Sequence, residues 1–236
     1  QPRAFVTSCF VQDAFDKAVA LFGWEEKKKL SGQRQGTKVT GIGIGQGTYT
    51  AGSIGFDGLV VIRPDGKLYI HQGLGNPGTQ SFSDTARAAA DVLGMPWDRC
   101  EIVWGDTAKH LPWSSVQAGS QSTHAHTRAN YMAAMDARQK LQEIAAKDLG
   151  GSPDDYDAGN GRVYRRGSPS RGLTFAQAAT RAIALGGKYD GHEAPEDINA
   201  MTARSVKALA GQGLVGVAKD TLPRKGSTYS FLVSFA

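Results

Sequence analysis

The residues best placed to do chemistry are Ser120, Ser122 and Thr123, inside the run Ala118-Gly119-Ser120-Gln121-Ser122-Thr123. Ser114 and Ser115 stand just upstream, in a polar run that begins at Gly105-Asp106-Thr107. A helical pattern then extends over residues 123–147. The first N–H groups of a helix have no internal partner and the helix dipole is positive there. Hydroxyls gathered at such a point make an anion site, and a phosphate is the expected ligand. The plain alternative is a polar loop capped by its own Ser and Thr side chains.

A second stretch has similar potential. Residues 72–80 read Gln-Gly-Leu-Gly-Asn-Pro-Gly-Thr-Gln and join a strand to a helix expected over 82–93, with Ala86, Ala89, Ala90 and Leu93 on one face. Small residues before a helix let a ligand reach backbone N–H groups, although a tight loop without a ligand reads the same way. Gly41, Gly43, Gly45 and Gly47 alternate with Ile42 and Ile44. This is neither a dinucleotide fingerprint nor a P-loop. It suggests a strand with one bare side, against which a backbone or a ligand packs closely.

Other polar residues carry less. His124 and His126 are two apart, so they face different directions and suit one metal poorly. His71 ends a strand and reads as structural. Asp154, Asp155 and Asp157 hint at calcium but lack the terminal Glu of an EF-hand loop. Cys9 and Cys100 show no metal or disulfide spacing, which makes a reducing compartment the default.

The elements that must position these residues follow from periodicity. A helix over 11–22 closes at Gly23, and 24–36 is a charged connection. An apolar run at 58–62, the turn Arg63-Pro64-Asp65-Gly66 and an alternating run at 67–71 form a hairpin. A strand follows at 101–104. The long helix carries Met132, Met135, Leu141 and Ile144 as its apolar stripe. Residues 150–161 read as a surface linker, 162–166 as a short strand, and 175–185 as a helix capped by Thr174. Residues 189–204 read as irregular, and 229–236 as a final strand. This irregular alternation defines an α+β class, with mixed sheets and helices packed on them.

The chain has 236 residues, 40% hydrophobic and 21% charged, with a net charge of +5. That is a globular composition with room for one large domain or two small ones. The basic residues are scattered, Lys27-Lys28-Lys29 being the densest run and Arg162, Arg165, Arg166 and Arg171 coming later. Without a basic stripe on a known module, a nucleic-acid partner is not expected. No apolar run is long enough to span a membrane. The start, Gln1-Pro2-Arg3-Ala4, lacks Met and a signal pattern, and the other end stops within a strand. A piece of a longer, cytoplasmic protein is the expectation.

Taken in order, residues 38–141 resemble the molybdenum-binding large subunit of the xanthine dehydrogenase/aldehyde oxidase family. The glycine-rich strand at 41–47 comes first, then Pro64-Asp65-Gly66 before Leu68-Tyr69-Ile70-His71-Gln72-Gly73. A glycine-rich loop and a helix ending Val92-Leu93-Gly94-Met95-Pro96 follow. Val103-Trp104-Gly105-Asp106-Thr107, a Pro-Ser loop and Ala118 to Thr123 complete the series. The run 211–236 is similar to the lead-in to the family's next central strand.

The resemblance implies that Gly119, Ser120, Gln121, Ser122 and Thr123 bind the phosphate of molybdopterin, in the cytosine dinucleotide form that many bacterial members carry. Asn76, Gly78, Thr79 and Gln80 fall where the family has a Gly-Gln-Gly turn beside the pterin and metal. Either Asn76 or Thr79 stands in the place of that Gln. Gln46 imitates the turn but is out of family order. The implied layout is the end of a first cofactor-binding domain at 1–75 and the beginning of a second at 76–236. The implied reaction is hydroxylation of a carbon on an aldehyde or N-heterocycle, with oxygen from water and a Glu as base. Electrons leave through Fe–S clusters to FAD, usually on partner subunits. The family's catalytic Glu has no match here, and Glu193 and Glu196 do not fit it. The chain is thus expected to bind cofactor as one part of an oxidoreductase complex. The competing readings are a non-catalytic binding or scaffold domain of this fold, and another phosphate- or nucleotide-binding enzyme.

Overall fold

The computed structural model describes residues 11–50, 55–119, 121–220 and 229–235. Helices α1 (Val11–Phe22) and α2 (Trp24–Lys27) are followed by strands β1 (Arg34–Gln35), β2 (Lys38–Val39) and β3 (Ile44–Thr50). Then come β4 (Asp57–Ile62), β5 (Leu68–His71), α3 (Ser81–Asp84), α4 (Arg87–Leu93) and β6 (Cys100–Val103). A single π-helical turn, Ser122–His126, runs into α5 (Thr127–Leu149). After it come β7 (Tyr156–Gly159), β8 (Arg162–Arg165), β9 (Ser168–Thr174), α6 (Phe175–Leu185), α7 (Ala200–Ala208), β10 (Leu214–Lys219) and β11 (Tyr229–Phe235).

The chain divides into two compact units, one made of Gln1–Gly52 with Pro223–Ala236, the other of Ser53–Leu222. The expected division at 75/76 is not where the units part. Residues 57–71 form β4 and β5, which are hydrogen-bonded into the sheet of the larger unit. In the smaller unit β3 and β11 pair antiparallel, Gly47 opposite Leu232, and α1 lies along β11. A Cβ built on Gly41, Gly43, Gly45 or Gly47 meets no described atom within 4 Å. Within that unit, none of the described residues makes the close approach expected on the bare side of that strand.

In the larger unit the central sheet has the order β10-β4-β5-β6. The first three strands are antiparallel, and β5 and β6 are parallel. Parallel neighbours need a crossover, which α3 and α4 supply. Both faces of the sheet are covered, which is why 58–62 is continuously apolar rather than alternating. Val60, Ile62, Leu68 and Ile70 pack with residues of α4, α5 and α6, while Leu59, Val61, Val215 and Val217 pack under Val206 and Leu209 on the other side.

The position of α5 is fixed by small residues. A Cβ on Gly58 would strike the Ala129 carbonyl, and one on Gly216 the Ala133 carbonyl. Glycine on the strands and alanine on the helix let the helix backbone lie directly on the sheet. Asp136 accepts from the Val217 N–H (2.9 Å) and buried Lys140 donates to the Val215 carbonyl (2.8 Å). The outer edge of β10 is thereby satisfied by side chains of α5.

Two local expectations differ from the structure. The supposed linker at 150–161 contains β7, whose Tyr156 is fully buried and whose partner is β8. Two of the three aspartates read there as a hint of calcium are held in ion pairs, Asp155 with Arg165 and Asp157 with Arg138. The single helix expected over 82–93 is broken between α3 and α4, where the Thr85 hydroxyl bonds back to the Ser81 carbonyl at 2.6 Å.

Candidate cofactor site

Because β5 and β6 are parallel, the chain leaves both at the same end of the sheet. Loop 72–80 follows β5 and loop 104–121 follows β6. Such an end, with two loops leading to helix starts, is where open sheets place ligands. The loops are joined at several points. Ser114 Oγ donates to the Gly73 carbonyl at 2.6 Å, and a Cβ on Gly73 would run into the Pro112 carbonyl. Gln117 Oε1 accepts from the Gly75 N–H at 2.7 Å while its Nε2 donates to the Gly75 carbonyl at 3.1 Å. Trp104 stacks on Phe82 with ring centroids 3.8 Å apart. His71 Nδ1 donates to the His110 carbonyl at 3.1 Å, and burial lowers its pKa to about 4. His71 is thus a neutral structural group, as its place at a strand end suggested.

In the first loop Asn76 Oδ1 accepts from the N–H groups of Gly78 (3.0 Å) and Gln80 (3.1 Å). Its oxygen is spent in shaping the loop, which leaves its amide NH₂ to offer. Thr79 Oγ1 shares a hydrogen bond with Ser81 Oγ at 2.8 Å. Residues 76–80 are all exposed. Gln80, at a φ of 55°, holds a left-handed conformation just before α3.

The second stretch is less uniform than its sequence implied. Gly119 turns the chain with a φ of 64°. Ser120 lies outside the described residues. Gln121 is buried, and its amide donates to the Val116 carbonyl and to Ser115 Oγ. Its side chain is turned into the loop, so its contribution to a ligand is confined to the backbone. Ser122 is half-buried and Thr123 exposed, and neither hydroxyl has a partner among the described residues. No side chain caps the π turn. The stretch therefore offers hydroxyl protons and unpaired N–H groups together, a donor set that fits a phosphate, which brings only acceptors. Helix α3 lies against the π turn, so the two stretches are neighbours.

Beneath them is a cluster that the sequence reading missed. Gln72, Thr85, His126 and Asn130 are all fully buried. His126 Nδ1 is 3.2 Å from Thr85 Oγ1, and the Asn130 amide donates to the Thr85 carbonyl at 3.0 Å. Burial lowers the His126 pKa to about 3, so the ring is neutral. The available signal was two polar residues one turn apart, His126 and Asn130, among Ala125, Ala129 and Ala133. Gln117 had no local signal, since its partner lies 42 residues away. Among the described residues no three His, Cys, Asp or Glu side chains converge as metal ligands. What these loops present is suited to the organic and phosphate parts of a cofactor.

A family profile described as "Molybdopterin cofactor-binding domain" matches residues 17–222. The chain belongs to that family, and its fold is the α+β fold of the molybdenum-binding domains of molybdenum hydroxylases. Among curated proteins it is 27% identical over 164 residues to the aldehyde oxidoreductase molybdenum-binding subunit PaoC of Escherichia coli O157:H7, covering 69% of this chain and 21% of that subunit. Among solved structures it is similar to CO dehydrogenase from Oligotropha carboxidovorans, with a TM-score of 0.55, 22% identity, and coverage of 96% of this chain and 26% of that one. Quinoline 2-oxidoreductase from Pseudomonas putida 86 gives a TM-score of 0.51 at 18% identity, over 95% of this chain and 26% of that one. The chain thus spans about a fifth of the curated relatives' length and about a quarter of the solved chains.

Proposed function

We propose that this chain holds molybdopterin, in its cytosine dinucleotide form, as part of a cytoplasmic molybdenum hydroxylase. The observation that carries the reading is the donor set at the start of the long helix, placed beside an exposed glycine-rich loop. The Ser122 and Thr123 hydroxyls, with the N–H groups of the π turn, would bind the phosphate. Gly119, at its left-handed turn, and Ser120 would complete the same clamp. The loop carrying Asn76, Gly78, Thr79 and Gln80 would meet the pterin. Gln117 and Ser114 keep that loop in place.

When bound, the molybdenum centre supplies the two-electron chemistry that hydroxylates a carbon of an aldehyde, N-heterocycle or similar small molecule. The base for that reaction and the walls of the substrate site come from other segments or subunits of the enzyme. Fe–S and FAD partners carry the electrons away. The role of this chain is to bind and orient.

The test is made on the native complex. Elemental analysis should find molybdenum, and oxidised extracts should show pterin fluorescence in equimolar amount. Acid hydrolysis should release cytidine monophosphate. A complex with neither molybdenum nor pterin would overturn the reading, and a bound adenine nucleotide instead would redirect it to another enzyme class.

A further inference from the structure

The buried cluster below the two loops has a direction. Thr85 Oγ1 gives its one proton to the Ser81 carbonyl at 2.6 Å, so toward His126 Nδ1 it can only accept. His126 must therefore carry its proton on Nδ1. The Asn130 amide also lies 3.4 Å from that ring nitrogen, but its two protons have two oxygens to take them, the Thr85 carbonyl at 3.0 Å and Gln72 Oε1 at 3.3 Å. Gln72 Nε2 in turn donates to the Phe82 carbonyl at 3.0 Å. Each bond crosses between elements: the residue after β5, helix α3, the break before α4, and the start of the long helix.

The cluster is not the most stable filling for this place. His126 Nε2 and Asn130 Oδ1 are buried without a partner among the described residues. Each such atom costs about 1–3 kcal/mol, and an apolar filling would avoid that cost. What a buried polar network supplies instead is a unique arrangement, because its donors and acceptors match in one register only. The two segments held in register here are the ones that bear the candidate ligand groups. No side chain caps the π turn, whose start is otherwise held by the Ala125 N–H bond to the Gln121 carbonyl (2.8 Å).

We propose that His126, Thr85 and Asn130 are positioning residues of the cofactor site. They fix the spacing between the exposed loop at 76–80 and the hydroxyls of Ser122 and Thr123. The inference rests on the molybdopterin reading of those two stretches. The long helix is set against the sheet by Gly58 and Gly216, and the Thr85 bond carries that placement over to the loop after β5.

The experiment uses the full-length subunit in its native complex and follows pterin release at a temperature below all melting transitions. Thr85→Val keeps the shape but removes the hydroxyl, both the acceptor for His126 and the donor to Ser81, and Thr85→Ser keeps both hydroxyl bonds. Leu209→Ala, in the core on the opposite face of the sheet, is the stability control. Thr85→Val should release pterin at least about tenfold faster, since both bonds of the hydroxyl are lost. Thr85→Ser should stay near wild type, and Leu209→Ala should melt earlier without faster release. The proposal is overturned if Thr85→Val releases at the wild-type rate, or if release simply follows melting temperature in all variants. Wild-type complex that holds no pterin would defeat the underlying reading; pterin present with no effect of Thr85→Val defeats this inference alone. Should Thr85→Val not accumulate, His126→Asn against His126→Leu makes the same comparison, since Asn retains a donor in the place of Nδ1.

Discussion

Gln117 binds Gly75 as one strand binds another: its amide takes the glycine's N–H at 2.7 Å and returns a proton to its carbonyl at 3.1 Å. A side chain from the loop after β6 thus completes the backbone of the loop after β5. Gln117→Ala should remove both bonds, at about 1–3 kcal/mol for this half-buried pair. Hydrogen–deuterium exchange of the peptide covering 73–80 should quicken, while peptides of α6 stay unchanged. Unaltered exchange at 73–80 would show that the loop is held by other means.

The free hydroxyls of Ser122 and Thr123 make a contrasting case. They bond to no described residue, so the double change Ser122→Ala with Thr123→Ala should leave the melting temperature of cofactor-free protein essentially where it was. If the hydroxyls hold a phosphate, the same change should weaken cofactor binding by roughly 3–6 kcal/mol, two charge-assisted hydrogen bonds. Pterin content per subunit after dialysis is the measurement. Full retention would remove these two residues from the site.

Asp57 and Thr202 form a joint of a different kind. Buried Asp57 Oδ2 accepts from Thr202 Oγ1 at 2.7 Å and from the Asn199 N–H at 2.8 Å, and Thr202 Oγ1 accepts from the Trp113 N–H at 2.8 Å. Thr202→Val strips one donor from a buried carboxylate and leaves a backbone N–H unpaired. The expected loss is about 2–4 kcal/mol of stability. Thermal unfolding of the full-length subunit checks it, and Thr202→Ser should recover most of the loss.

Acid should destabilise the fold before the carboxylates titrate. Burial lowers the pKa of His71 from 6.5 to about 4 and that of His126 to about 3. Between those values and 6.5 the unfolded chain binds protons that the folded chain refuses. Stability therefore rises with pH through this window and is complete above about 6.5. For His71 alone the effect is roughly 3 kcal/mol between pH 6.5 and 4. Unfolding midpoints measured across that range should fall with acid, and His71→Asn should flatten the slope. A flat wild-type profile would refute the assignment of neutral buried imidazoles.

Much of this architecture could be read from local pattern. The Val11–Phe22 helix, the hairpin around Pro64-Asp65-Gly66 and the Thr174-capped helix Phe175–Leu185 all carry their signals within a few residues. The features that escaped depend on distant partners. Tyr156 sits in a run of Asp, Gly and Asn that reads as a linker, and only pairing with β8 makes it a strand. Thr85 interrupts a helical pattern because its hydroxyl finds Ser81 and His126. The phosphate-type stretch was legible from its hydroxyls, yet the inward turn of Gln121 was not, since it answers to carbonyl and hydroxyl groups of its own folded loop.

The order of strands in the central sheet has one further consequence. Val60, in β4, is paired on one side with Ile70 and on the other with Gly216. The first partner leaves the ribosome almost at once; the second arrives only after all of the helices from α3 to α7. Until β10 is synthesised, β4 presents an open edge whose run from Leu59 to Ile62 is apolar. Long-range pairing of this kind is slow to form and exposes the chain meanwhile. The larger unit is therefore a late-closing nascent chain, dependent during synthesis on whatever shields that edge until residue 219 emerges.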